Sequence, residues 1–221
     1  QVGREGATAS VRGGQVLRAA RVDVPADISS AAFFLVAAAI CPGSDLVLRH
    51  VGMNPTRTGV LHVLRAMGAD ITESNPQLVG GEPVADLHVR GGRLKGITID
   101  PAWVPLAIDE FPALFIAAAC AEGVTELRGA EELRVKESDR IQVMADGLAA
   151  VGLPVTVLPD GMRIEGRGGE AHPFAGGTVE AHGDHRIAMS FTVAALRSGG
   201  PIHIRDTANV GTSFPGFVAL A

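Results

Sequence analysis

One pattern of apolar and polar positions occurs three times along the chain. An Asp opens each copy, a nearly unbroken apolar run follows, and a Gly-containing turn leads to an aliphatic residue paired with Arg. The copies run from Asp27 to Leu48-Arg49, from Asp109 to Leu127-Arg128, and from Asp184 to Ile204-Arg205. Successive opening Asp residues stand 82 and 75 residues apart, which suits a fold-level repeat and not a short solenoid. An Ala lies four residues after each Asp, at Ala31, Ala113 and Ala188.

Each apolar run is long enough for about three turns of helix. Being apolar nearly all round, the runs predict helices buried inside a domain. Asp27, Asp109 and Asp184 read as N-caps, and Gly43, Gly123 and Gly199 as helix stops. Strands are predicted over 46–49, 125–128 and 201–205. In the first two copies a second helix follows, with Leu61, Leu64 and Met67 on one face of the first, and Ile141, Met144, Leu148 and Val151 on one face of the other. Strands over 69–72 with 87–89, and 154–158 with 162–165, close these copies. The unit is β-α-β-α-β-β if a strand leads into each buried helix, with units at about 22–100, 101–175 and 176–221. The third has only a short helix around 213–220 and no closing strands, so it is incomplete. Residues 7–16 read as a strand and turn outside any complete unit. Both ends look cut, and a start at Gln1 without Met fits a piece of something longer.

Composition narrows the class. With 221 residues the chain can bury a sizeable core, and 28 Gly with 13 Pro fall below the share of a low-complexity or collagen-like chain. A net charge of −5 with scattered basic residues argues against a nucleic-acid surface. The longest apolar stretch, from Ala31 to Cys41, stops at Pro42 and is too short to span a bilayer. No basic leader opens the chain, and Cys41 and Cys120 each end an apolar run. They read as reduced, buried thiols of a cytoplasmic protein.

Two charged clusters carry the candidate chemistry. Arg134-Val-Lys136-Glu137-Ser-Asp-Arg140 lies where the second unit passes into its second helix. A solvated helix start would also look like this, since acids favour the N-terminal dipole. As a site, Lys136 and Arg140 share a helical face toward an anion, with Lys136 a point charge or an acid of lowered pKa, and Glu137 offers a carboxylate for proton transfer. His182-Gly-Asp184-His185-Arg186 opens the third buried helix. Its spacing fits no closed zinc pattern. A cation in a first helical turn opposes the dipole, so Arg186 calls for an anionic partner. Three buried helices related by a pseudo-threefold would aim their N-termini at one anion-attracting face.

These clusters, with Asp27-Ile-Ser-Ser-Ala-Ala-Phe-Phe and Thr212-Ser-Phe-Pro215, resemble the 5-enolpyruvylshikimate-3-phosphate synthase family in order and spacing. The resemblance implies an inside-out α/β lobe of the enolpyruvyl transferase type. Residues 22–221 would be the C-terminal lobe, and 1–21 a remnant of the other lobe and the connection between them. The family completes its third C-terminal unit with its extreme N-terminus. The implied reaction moves the enolpyruvyl group of phosphoenolpyruvate to the 5-hydroxyl of shikimate 3-phosphate and releases phosphate, with no metal or organic cofactor. By the same resemblance Asp109 is the proton acceptor and a shikimate-phosphate ligand, and Lys136 contacts both substrates. Glu137 exchanges protons with the methylene, Arg140 and Arg186 grip phosphoenolpyruvate, and His185 lines the pocket. Glu132 and Thr212 stand where some members carry Asn and Lys.

The partners implied are the two substrates and the missing N-terminal lobe, in a cytoplasmic full-length monomer that binds neither nucleic acid nor membrane. The other lobe's Gly-Ser-Lys-Ser lysine, phosphoenolpyruvate arginine and Ser-Ser-Gln stretch are not in this sequence. The chain is therefore expected to be inactive alone, with Lys136, Arg140 and Arg186 facing open solvent. The rival readings are a UDP-amino-sugar enolpyruvyl transferase, against which the Lys136–Arg140 run argues, and a non-catalytic lobe that binds phosphorylated ligands.

Overall fold

The computed structural model describes residues 2–16 and 18–221. A hairpin comes first, β1 (Val2–Glu5) paired antiparallel with β2 (Thr8–Val11), every residue exposed. Its turn falls at Gly6, with φ +55°, and within residues 7–16 the expected strand is followed by a bend at Gly13 and Gly14, the latter at φ +75°. The strand comes after the turn that Gly6 permits.

The first unit contains α1 (Ile28–Ile40), β3 (Asp45–Gly52), α2 (Gly59–Ala66), β4 (Asp70–Val79) and β5 (Glu82–Arg90). The second contains α3 (Phe111–Ala119), β6 (Glu122–Leu127), α4 (Arg140–Ala150), β7 (Thr156–Leu158) and β8 (Gly161–Arg167). Each forms an antiparallel three-stranded sheet, in the orders β3-β5-β4 and β6-β8-β7. The third has β9 (Gly177–Glu180), α5 (His185–Ala195) and β10 (Ile202–Arg205), then α6 (Val210–Ser213) and α7 (Phe217–Leu220). The single helix expected near 213–220 is split in two, because Pro215 lacks the amide a continuous helix would need.

A lead-in segment precedes each buried helix and runs parallel to the strand after it. In the third unit this is β9 on β10. In the first it shrinks to Ala26, whose N donates to His50 O at 2.8 Å and whose O accepts from Gly52 N at 2.9 Å. In the second, Gly96 N donates to Glu122 O at 2.7 Å and Ile99 N to Glu126 O at 3.0 Å. Pairing of the second unit thus starts near residue 95, earlier than a boundary at 101.

The three buried helices pack against one another at the centre. All nine residues of α3 are buried, as are most of α1 and α5. The predicted faces of α2 and α4 complete the core: Leu61, Leu64, Met67, Ile141, Met144, Leu148 and Val151 are all buried. Of the predicted helix stops, Gly43 and Gly123 take left-handed φ, whereas Gly199 does not and donates to Phe174 O at 2.8 Å. The residue after each aliphatic-Arg pair is also left-handed: His50 at +57°, Gly129 at +71° and Asp206 at +58°. In the first two units an Asp holds that amide, Asp86 for His50 and Asp160 for Gly129, at 2.8 and 2.9 Å. The repeat therefore extends to a backbone conformation that residue identity alone does not reveal.

Gly147 lets α4 close on α5, since a Cβ there would collide with the Phe191 ring and sit 3.1 Å from Val179 Cγ1. Gly to Ala in a helix usually gains up to about 1 kcal/mol. Here overpacking, about 1–3 kcal/mol, outweighs it. Gly147→Ala is thus expected to lower the melting temperature by a few degrees, readable by calorimetry, and a rise would contradict this packing.

Candidate active site

The N-terminal ends of α1, α3 and α5 meet, and both charged clusters gather around the meeting point. Ser29 of α1 donates to the Glu110 carboxylate at the entry to α3, and Arg186 Nη1 of α5 lies 3.9 Å from the same carboxylate. Asp27 and Asp184 cap their helices as expected, accepting from Ser30 N and Arg186 N, each at 2.9 Å. Asp109 does not act as a cap. It sits in a 3₁₀ turn, Ile108–Glu110, one step before α3 begins, and Pro112 in the first turn leaves one amide fewer to satisfy. Its carboxylate turns instead to side chains, with Oδ1 3.3 Å from Lys136 Nζ and 3.1 Å from Arg140 Nη1. Burial pushes the Asp109 carboxyl up, but Arg186, Lys136 and Arg140 outweigh it and hold it below the ordinary Asp value.

Arg140 is the hub. Its side chain is 1% exposed and bonded to three carboxylates. Nε donates to Asp184 Oδ2 at 2.8 Å, Nη1 to Asp109 at 3.1 Å, and Nη2 to Glu137 Oε2 at 2.5 Å. Asp184 itself is 0% exposed and also accepts from Ser138 Oγ at 3.0 Å. Burial raises the Asp184 carboxyl, and the bonds from Arg140 bring it below its usual value. The cations therefore do not face open solvent. Arg140 is buried, Lys136 and Arg186 are mostly covered, and the site's own carboxylates supply their counter-charge.

The i, i+4 spacing of Lys136 and Arg140 is not helical either. The helix α4 starts only at Arg140, while Lys136 has extended backbone, so the two converge through Asp109. The Lys136 ammonium bonds Glu132 as well as Asp109, and these acids push its pKa up. It is a point charge, not an acid of lowered pKa. Glu132 pairs with that lysine. His185 opens α5 half-buried, and burial with Arg186 nearby lowers its pKa, favouring the neutral imidazole. Thr212 lies exposed in α6.

Arg186 is held differently from Arg140. Its Nη1 donates to the Asp109 carbonyl at 2.9 Å, while Nε and Nη2 make no hydrogen bond among the described residues. A guanidinium fixed at one nitrogen with its other N–H groups free is suited to an anion. Asp109 and Glu137 share the Arg140 cation, and carboxylates are groups able to accept or give a proton. Sequence reasoning missed Ser29, Arg57 and Glu110. Glu110 carried a signal, a charged residue directly before an otherwise apolar buried helix. Among the described residues no three His, Cys, Asp or Glu cluster to hold a metal ion, and no helix is long and apolar enough to cross a membrane.

The sequence profile of EPSP synthase (3-phosphoshikimate 1-carboxyvinyltransferase) matches residues 1–220. The 3-phosphoshikimate 1-carboxyvinyltransferases of Alkalilimnicola ehrlichii and Methylococcus capsulatus are each 64% identical over 220 residues. The alignments cover 100% of this chain and 48% and 49% of those proteins, so the chain spans about half the length of its curated relatives. The solved structure of EPSP synthase from Acinetobacter baumannii superposes with a TM-score of 0.96 at 59% identity, over 100% of this chain and 51% of that one. The enolpyruvyl transferase NikO from Streptomyces tendae shares the fold, with a TM-score of 0.62 at 20% identity over 87% of this chain and 41% of its own. A profile matched over almost the whole length, on a fold and charged clusters already convergent at three helix starts, places the chain in the EPSP synthase family.

Proposed function

We propose that this chain is the C-terminal lobe, residues 22–221, of a 3-phosphoshikimate 1-carboxyvinyltransferase, and that 1–21 belong to the other lobe and the connection. Of that stretch, residues 1 and 17 lie outside the described residues. The two-lobe enzyme moves the enolpyruvyl group of phosphoenolpyruvate to the 5-hydroxyl of shikimate 3-phosphate. The observation that carries this reading is the convergence of Asp109, Lys136, Glu137, Arg140 and Arg186 at the meeting helix starts.

In this reading Asp109 takes the proton of the attacking hydroxyl, whose oxygen bonds to C2 of phosphoenolpyruvate. Glu137 exchanges the proton at the methylene carbon. Elimination then breaks the C2–O bond to phosphate, and a proton leaves the new methyl group to restore the double bond. Lys136 and Arg186 meet the anionic substrate groups, His185 lines the pocket as a neutral ring, and Arg140 aligns the two working carboxylates from its buried position. Retention of Asp109 and Glu137, which anion binding does not require, favours an enzyme over a passive phospho-ligand lobe. The enzyme works as a cytoplasmic monomer.

Phosphate release from phosphoenolpyruvate and shikimate 3-phosphate tests the reading. The isolated chain is expected to show none, and a preparation carrying both lobes to show turnover. Turnover by the isolated chain near the two-lobe rate would overturn the half-site reading. Turnover with a UDP-amino sugar in place of shikimate 3-phosphate would overturn the substrate assignment.

A further inference from the structure

Glu110 and Asp184 are the buried acids among the described residues. Asp184 caps α5 and neutralises Arg140. Glu110, 3% exposed, does neither, and it precedes a helix in which every residue is apolar or proline. An apolar side chain there would bury without the desolvation penalty of a carboxylate, so the charge calls for a partner.

The partners lie on both sides. From the first unit Ser29 Oγ donates to Glu110 Oε1, and Arg57 Nη2 in turn donates to Ser29 Oγ at 2.8 Å. From the third unit Arg186 Nη1 faces Glu110 Oε1 at 3.9 Å, the same nitrogen that donates to the Asp109 carbonyl. The Arg186 guanidinium is thus drawn to one side by a carbonyl and a buried negative charge. Its remaining N–H groups are left unbonded among the described residues. An unanchored arginine keeps many rotamers, and ordering them weakens ligand binding.

We propose that Glu110 is a positioning residue that fixes the Arg186 guanidinium for its anionic ligand, with Ser29 and Arg57 holding Glu110 from behind. This rests on reading Arg186 as a phosphoenolpyruvate contact. Charge on Glu110, and not only its shape, is what holds the arginine.

Glu110→Gln in the two-lobe enzyme keeps the volume and an oxygen for Ser29 but removes the charge. The KM for phosphoenolpyruvate is expected to rise about tenfold while that for shikimate 3-phosphate stays within about twofold. Glu110→Asp should restore part of the loss. In nitrogen-detected NMR, rotation of the Arg186 guanidinium should be slow in the parent protein and fast in Glu110→Gln. A phosphoenolpyruvate KM within about twofold of the parent, or both KM values rising alike with a falling melting temperature, overturns the proposal. Should Glu110→Gln fail to fold, Ser29→Ala and Arg57→Gln carry the same split, each in the same direction. Should the two-lobe parent show no turnover, the functional reading fails by itself. The Arg186 rotation then decides the role of Glu110, an unchanged rate overturning it and a faster one supporting it.

Discussion

Replacing Asp109 with Asn in the two-lobe enzyme is expected to lower kcat by about a hundredfold or more. The amide keeps the size of the side chain and an oxygen for Lys136 and Arg140, but it cannot accept a proton. Loss of a helix cap would not contribute, because Asp109 caps no helix. The melting temperature should therefore move little, which separates a chemical from a structural effect. The cations that keep Asp109 ionised also make it a weak base. In the proposed reading, an anionic substrate arriving at Lys136 and Arg186 would offset their charge and return basicity when it is needed. In the free enzyme the acid limb of kcat/KM should fall below the ordinary Asp range. Stopped-flow and steady-state kinetics read both quantities. A kcat within about a factor of three of the parent would reduce Asp109 to a partner for Lys136 and Arg140.

Arg140→Met is expected to be the most destabilising single change in the site. Methionine fills much of the volume but leaves Asp184 fully buried without its cation. Breaking one half of a buried pair costs about 3–5 kcal/mol. For a chain of this size that is a melting temperature lower by about 10 °C. Adding Asp184→Asn should recover more than half of the loss, since Asn still caps α5 and carries no charge.

The pH dependence has a definite sign. The Asp184 carboxyl is depressed in the folded protein, so its contribution is present above the unfolded value of about 3.9 and is lost as pH falls through the folded one. In Arg140→Met the cation is gone while burial remains, so protonating Asp184 relieves the strain. The stability gap between parent and variant should narrow from pH 7 toward pH 4 in urea melts. A gap that widens in acid would show that Arg140 stabilises the fold by some other contact.

Much of the fold was legible because its signals are local. Three apolar runs, their amphipathic companions and the caps Asp27 and Asp184 depend on residues within one helical turn, where spacing alone brings groups together. The lead-in strands were anticipated only conditionally, since parallel pairing joins segments on either side of a helix. The hairpin turn at Gly6 and the break at Pro215 were available to local reasoning as well.

The sequence by itself determined the threefold repeat, the buried character of its helices and the membership of Lys136, Glu137, Arg140 and Arg186 in two charged clusters. Only the tertiary structure decided what those charges do. Arg140 bonds Asp109 across 31 residues and Asp184 across 44, and Ser29 meets Glu110 across 81. No periodicity encodes such distances. They follow from three helix starts brought to one point by packing. There burial raises the cost of an unpaired charge, so each ionised group settles on the nearest opposite one. That is why Asp109 left the role of cap, Arg140 turned inward instead of facing solvent, and Lys136 became a fixed charge.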